Sequence, residues 1–338
     1  MKRWQFWVGV LISVVFLYLA LRKQHLGEVW IALSGAQYLW LIPGIAVYMI
    51  AVWVRAWRWH FMLRPLKKIP TYKMFPVVAI GYMGNNIYPA RAGEVLRAYV
   101  LKRHEGVPVS ASLATVIVER IFDGVVMLSF IFLNFSGLAR VQGDSGVFGG
   151  VSIQTVAVVG TAVFLGALVV FLLAAMFPFT TEKVVRRLAD RLIPARFRTK
   201  VLDVSLRFLG GLESLRSPVD ILMIFVTSVV IWLLETAKYW LVTYAFGIHV
   251  SFFVLMLVNG VSNLATTLPS APGYVGTFDA PAIAILSASG VAPEAATAYT
   301  LVLHAALWLP ITLLGMYYFA REGLQWGEVP SDLPQEAA

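Results

Sequence analysis

Apolar runs long enough to cross a bilayer recur near residues 4–21, 37–54, 110–134, 151–177, 219–247 and 295–320. Two further apolar stretches, about 73–103 and 251–290, are interrupted, the first by Pro89 and Gly93 and the second by Pro269, Pro272 and Gly273. Each interrupted stretch reads as two half-helices meeting at an irregular turn. Backbone of that kind is tolerated at membrane depth only inside protein or beside a water-filled cavity, so both breaks are expected to face the interior. The pattern predicts an all-α polytopic membrane protein with six transmembrane helices and two broken, re-entrant helical hairpins, forming one integral membrane domain over residues 1–321.

Composition agrees: 59% of the residues are hydrophobic and 13% charged, far from a soluble domain. A net charge of +9 would suit nucleic acid, but basic residues gathered in cytoplasmic loops give the same total. With a cytoplasmic N-terminus, twenty of the 27 lysines and arginines fall on the cytoplasmic side, including all six from Arg55 to Lys73 and nine from Lys183 to Arg216. Only Arg22, Lys23 and Arg140 fall outside, which places both termini in the cytoplasm. The basic start and apolar run of the first 23 residues resemble a signal peptide, but the run is long enough to span and no small-residue cleavage site follows, so it is read as an uncleaved helix. With no cysteine, the chain offers no disulfide or thiolate chemistry. Residues 180–217 form a basic amphipathic cytoplasmic segment divided by Pro194, either an interfacial helix pair or an ordinary helical hairpin. The tail, 322–338, reads as disordered.

The two breaks resemble each other. "YPARAGEVLRA" is answered by "LPSAPGYVGTF", with Pro89/Gly93 matched 180 residues later by Pro269/Gly273, and Gly106 pairs with Gly290. Halves of about 37–134 and 219–320 are thus a candidate inverted repeat, the arrangement in which broken helices mark a transporter's binding site.

Nine ionisable residues lie in or beside apolar segments: Arg91, Glu94, Arg97, Glu119, Arg120, Asp123, Glu235, Lys238 and Asp279. At about 3 kcal/mol each, exposing them to lipid would cost on the order of 25 kcal/mol, so they must be paired or wetted. A half-helix starting just after Pro89 would aim its unpaired N–H groups inward, where Arg91 and Arg97 add charge and form an anion site suited to phosphate. The alternative, in which Arg91 and Arg97 pair with Glu119 and Asp123 as structural staples, stays open. In the second break, Ser270 would cap a helix starting at Pro272, with Asp279 two turns in. Asp279 with His304 could bind or relay a proton or recognise a cationic headgroup, against the plainer reading of His304 as a packing residue. No metalloprotease, nucleophile-elbow, Walker or dinucleotide motif occurs. "GDSG" at 143–146 resembles a serine-protease fragment but has no histidine nearby. These readings give no enzyme, no metal site and no cofactor.

"NNIYPARAGEVLRAYVLKR", "SASLATVIVERIFDG", "LPSAPGYVGTFDAP" and "GVAPEAATAYTLVLH", in that order, resemble the successive signatures of the lysylphosphatidylglycerol synthase transmembrane-region family, also called flippase-like domain proteins. The resemblance covers nearly the whole chain and is to stand-alone members, without the soluble aminoacyl-transferase domain. It carries the family's polar motif onto Asn85, Asn86, Pro89, Arg91, Gly93, Glu94 and Arg97, its third-span motif onto Glu119, Arg120 and Asp123, and its second break onto Pro269, Pro272, Gly273 and Gly276. Family members usually show glutamate where this chain has Asp279, which keeps the charge and shortens its reach. The resemblance implies a lipid flippase or scramblase of a prokaryotic cytoplasmic membrane. Its substrate would be an anionic phospholipid or lipid-linked precursor, bound by Asn85, Asn86, Arg91, Glu94, Arg97, Glu119, Arg120, Asp123, Asp279 and His304. A non-transporting accessory subunit for an envelope-biosynthesis enzyme, and an ion-coupled transporter of a small anion, remain as other readings; nucleic acid is not expected as a partner.

Overall fold

The computed structural model describes residues 7, 11, 13–15, 18, 25–88, 91–134, 153–267 and 271–323. Among them there is helix and turn but no strand. The helices are α1 (Leu26–Ser34), α2 (Leu41–Leu63), α3 (Thr71–Ile87), α4 (Ala92–Glu105), α5 (Val109–Leu133), α6 (Ile153–Met176), α7 (Pro178–Leu192), α8 (Ala195–Gly210), α9 (Pro218–Ala245), α10 (Phe252–Ala265), α11 (Asp279–Ala288) and α12 (Pro293–Arg321). Among the described residues, four stretches are long and apolar enough to cross a membrane: Tyr38–Leu63, Val158–Met176, Pro218–Ala245 and Pro293–Arg321. The predicted span over 110–134 corresponds to α5, whose 25 residues suffice in length but include Glu119, Arg120 and Asp123. Most of the predicted span at 4–21 lies outside the described residues, as do the "GDSG" stretch and residues 324–338 of the tail.

Local chemistry sets the helix ends. Ser217 caps α9 by accepting from the Asp220 N–H, with Pro218 at the first helical position, and Ser251 caps α10 through the Val254 N–H. Pro293 opens α12 in the same way. Gly106 and Gly290, just beyond α4 and α11, take positive φ of 72° and 92°, a conformation that ends a right-handed helix at little cost to glycine. Pro194 separates α7 from α8, as the sequence indicates.

One boundary differs from expectation in a way that matters. The span ending near residue 54 continues in the structure to Leu63, because no proline or glycine intervenes between Gly44 and Pro65. Arg55 and Arg58, assigned from sequence to a cytoplasmic loop, therefore lie on α2 and are buried.

A similar order of elements occurs twice along the chain. The first time, α2 is followed by the hairpin α3–α4 and then α5; the second time, α9 is followed by α10–α11 and then α12. The helices α2 and α9 run antiparallel against each other, with Gly44 beside Val242 at one end and Arg64 bonded to Asp220 at 2.6 Å at the other. Each hairpin packs on the other half's closing helix, α3 on α12 and α10 on α5.

The first hairpin is exceptionally close. A Cβ on Gly84 would stand 2.6 Å from the Gly93 Cα, and one on Gly93 would stand 2.0 Å from the Gly81 carbonyl oxygen. Only glycine permits this approach, which seats α4 directly on α3. The second break follows another path. Pro272–Tyr274 makes a single 3₁₀ turn, and Gly273, Tyr274 and Gly276 all have positive φ, so the helix begins at Asp279 rather than at Pro272.

Candidate substrate-binding site

The two breaks and the α2–α9 pair enclose a cavity of about 130 Å³. Its wall includes Arg55, Asn85, Asn86, Arg91, Arg120 and His304 among others. Aromatic rings from Tyr48, Tyr82, Trp232, Tyr239, Tyr274 and Trp308 supply much of the remaining surface. The side chains of Arg91 and Arg120 on this wall are 26% and 31% exposed.

Behind this wall lies a buried charge network. Arg58, fully buried, bonds Asp123 at 2.5 Å and Glu119 at 3.1 Å and donates to the Ser228 hydroxyl at 2.7 Å. Asp123 also accepts from the Trp232 indole N–H at 2.9 Å. Glu119 gathers Arg97 at 3.0 Å and Arg120 at 2.8 Å. Glu235 bonds both Arg55, at 3.0 Å, and Lys238. Multiple bonds of this kind compensate for taking the charges out of water.

The sequence-predicted residues fall into three groups. Asn85, Asn86, Arg91, Arg120 and His304 line the cavity. Asn86 is held in place by donating to the Thr312 hydroxyl at 2.8 Å, whereas the buried Asn85 amide oxygen has no hydrogen-bond partner among the described residues. Glu119, Asp123 and Arg97 are buried in the network and do not reach the cavity. The expectation that Arg97 faces a guest is thus corrected. It reaches from α4 to Glu119 on α5 and lies over the Trp59 ring at 4.9 Å, which pairs its charge within the protein. Glu94 stands between the groups, 3.2 Å from Arg120 and 3.8 Å from Arg91. Asp279 is buried behind His304 and bonds it at 2.7 Å. Pro89, Pro269 and Ser270 lie outside the described residues.

Arg91 differs from the other cations. It caps α4 in a left-handed conformation, φ 54°, and shares with Tyr274, φ 62°, the distinction of being non-glycine at positive φ among the described residues. Such residues cost about 1–3 kcal/mol each and cluster where function requires them. They also meet: the Arg91 guanidinium lies over the Tyr274 ring at 5.6 Å, joining the two breaks. Its Nη2 donates to the carbonyl and hydroxyl oxygens of Thr266 at 3.1 and 3.2 Å, and its nearest carboxylate, Glu94, is beyond hydrogen-bond distance.

Arg55 and Arg58 were missed as interior residues because the apolar run ends just before them and two tryptophans follow, as at a membrane interface. The uninterrupted helix to Pro65 was the available signal. Their inclusion changes the balance of interior charge. The nine residues recognised from sequence comprise four cations and five anions; adding these two arginines and the buried Asp220 brings the total to six of each.

A family model described as the lysylphosphatidylglycerol synthase TM region matches residues 6–315. The chain is 27% identical over 327 residues to the glycosyltransferase AglD of Haloferax volcanii, covering 91% of this chain and 52% of that protein. It therefore spans about half the length of that relative. A UPF0104 membrane protein of Methanothermobacter thermautotrophicus is 25% identical over 86% of this chain and 87% of its own. Another, from Methanocaldococcus jannaschii, is 23% identical over 90% and 92%. No solved structure matches.

Proposed function

Since the chain belongs to the lysylphosphatidylglycerol synthase transmembrane-region family, a family of membrane proteins, we propose that it translocates an anionic phospholipid or lipid-linked precursor between leaflets, holding the headgroup phosphate at Arg91. The observation that carries this reading is Arg91 itself: a residue at positive φ whose partly buried guanidinium stands on a cavity wall, its carboxylate neighbour Glu94 3.8 Å away and beyond hydrogen-bond range. A phosphate would supply the paired N–H···O bonds that Glu94, at 3.8 Å, does not make. Arg120 and Asn85 stand on the same wall and would share the headgroup. The network of Arg58, Arg97, Glu119 and Asp123 holds the wall in place.

We further infer that the halves are inverted repeats. Two equivalent helices that pack antiparallel, as α2 and α9 do, are related by a two-fold axis perpendicular to both, hence lying in the membrane plane if they span it. Alternate access would then be a rocking of one hairpin-bearing half against the other. Both termini are assigned to the cytoplasm, because moving Arg55 and Arg58 into the interior leaves the bias of the remaining lysines and arginines intact. The name of AglD describes a glycosyltransferase, but the present chain spans only about half of that protein, and the role proposed here is transport rather than catalysis.

The test is reconstitution. Purified protein in phosphatidylcholine vesicles should move fluorescent phosphatidylglycerol between leaflets, and Arg91→Ala should abolish movement while the protein remains folded. Movement at the rate of protein-free vesicles, or an Arg91→Ala rate equal to wild type, would dismiss the proposal.

A further inference from the structure

The pair His304–Asp279 joins the second break to the cavity wall. His304 Nε2 lies 2.7 Å from the carbonyl oxygen of Gly273. A carbonyl only accepts, so Nε2 carries a hydrogen and donates it. The other nitrogen, Nδ1, faces Asp279 Oδ1 at 2.7 Å. A hydrogen bond there needs a second proton, on Nδ1 or on the carboxyl oxygen, and in either placement the pair as a unit is neutral. The other carboxyl oxygen is already occupied, accepting from the Gly276 N–H at 2.8 Å.

Loss of the shared proton would leave the Nδ1 lone pair against a carboxylate. That contact becomes repulsive, so either the ring turns or the remaining proton moves to Nδ1 and keeps the bond to Asp279; both remove the donor to the Gly273 carbonyl, while the carboxylate stays tied to Gly276. Both glycines take positive φ in the 3₁₀ turn and the residues after it, so the state of one proton is linked to the backbone of the break. Access is one-sided. Asp279 is buried, but His304 is 15% exposed and lines the cavity, and the Phe278 ring lies 4.9 Å from the imidazole.

The charges around the pair fix the sense of the linkage. The titratable groups sharing its cavity are Tyr48 and Arg55 from α2, Tyr82 from α3, Arg91 at the first break, Arg120 from α5, Glu235 and Tyr239 from α9, and Tyr274 from the second break. The three arginines already have carboxylates near them, Glu235 3.0 Å from Arg55, Glu94 3.8 Å from Arg91, and Glu94 and Glu119 at 3.2 and 2.8 Å from Arg120. A neutral pair leaves that balance unchanged, whereas a deprotonated pair adds a negative charge at the cavity wall and opposes an anionic guest. Proton and anion occupancy therefore reinforce each other, and the reinforcement is reciprocal.

We propose that His304 and Asp279 form a proton-binding site that couples proton binding to anion binding in the cavity, so that guest and proton cross together. This rests on the transport reading above and adds its driving ion. Two measurements test it. Wild-type protein in phosphatidylcholine vesicles with tracer phosphatidylglycerol should move lipid on the order of tenfold faster at acid than at alkaline pH. Asp279→Asn should flatten that profile and Asp279→Glu should restore it; profiles of equal slope in wild type and Asp279→Asn overturn the coupling. Independently, ¹⁵N-histidine NMR in nanodiscs should show the His304 resonances titrating, and the titration should shift to higher pH when phosphatidylglycerol is included. A His304 signal that never titrates overturns the proton site whether or not lipid moves. If His304 titrates without responding to phosphatidylglycerol and no lipid moves at any pH, the transport reading fails and the coupling falls with it.

Discussion

The two breaks are built on opposite principles. The first is locked by backbone: Gly81, Gly84 and Gly93 bring α3 and α4 together so closely that no side chain fits between them. The second is locked by side chains, with His304 and Asp279 holding Gly273 and Gly276 through three hydrogen bonds. Close backbone packing has no alternative arrangement nearby, whereas a hydrogen-bonded turn can be released by moving one proton or one ring. The first break thus acts as a fixed seat for Arg91, and the second as the part able to move.

That contrast can be broken experimentally. Gly93→Ala drives a Cβ into backbone at 2.0 Å, and should cost more than about 3 kcal/mol and prevent recovery of folded protein, read by size-exclusion chromatography in detergent. Arg97→Ala removes a buried partner of Glu119 and should cost about 3 kcal/mol, read as a lowered melting temperature. Gly273→Ala, at φ 75°, meets the edge of the Trp308 ring at 2.9 Å rather than backbone, and should cost only about 1–3 kcal/mol. A Gly273→Ala protein less stable than Gly93→Ala would reverse the assignment of fixed and movable breaks. Arg91→Ala should alter stability by under about 1 kcal/mol while abolishing lipid movement, separating it from Arg97 on the same helix.

The smallest effect lies at the far end of the first hairpin. Lys67, through its hydrogen bond and charge, and Lys73 beside it hold the Glu105 carboxyl below its usual range. Its folded-state value is depressed, so its contribution is present above the ordinary carboxylate range and lost as pH falls through the lowered value, below about pH 4. These lysines are about half exposed, so the contribution is under about 1 kcal/mol and screened by salt. Glu105→Gln should remove that acid-side loss from a pH series of melting temperatures.

Much of this architecture was legible because membranes punish irregularity. Pro89, Gly93, Pro272 and Gly273 stood out in apolar surroundings, and the nine interior charges could be identified by their cost alone. What sequence could not supply was partner choice. Arg91 and Arg97 are six residues apart in one motif, yet one faces the cavity and the other a glutamate on α5; that division follows from how α4 sits on α3, which three glycines set at a distance. The start of α11 was misplaced for a similar reason. Pro272 is a good first helical residue, but the positive φ of Gly273, Tyr274 and Gly276 is a tertiary outcome. Arg55 and Arg58 were hidden by a rule that usually serves well, that arginines after an apolar run mark its end.

The Arg55–Glu235 bond also bears on biogenesis, since its two ends are separated by 180 residues of chain. At about 5–20 residues per second, Arg55 enters the bilayer roughly 10–40 s before its carboxylate is synthesised. Asp123, 3.9 Å from Arg55 in the finished protein, belongs to the earlier half and can shelter both Arg55 and Arg58 in the interval. Glu235 then arrives already accompanied by Lys238 on its own helix, so each half reaches the insertion machinery with its charges provisionally answered, and the final exchange of partners waits until the halves close on each other.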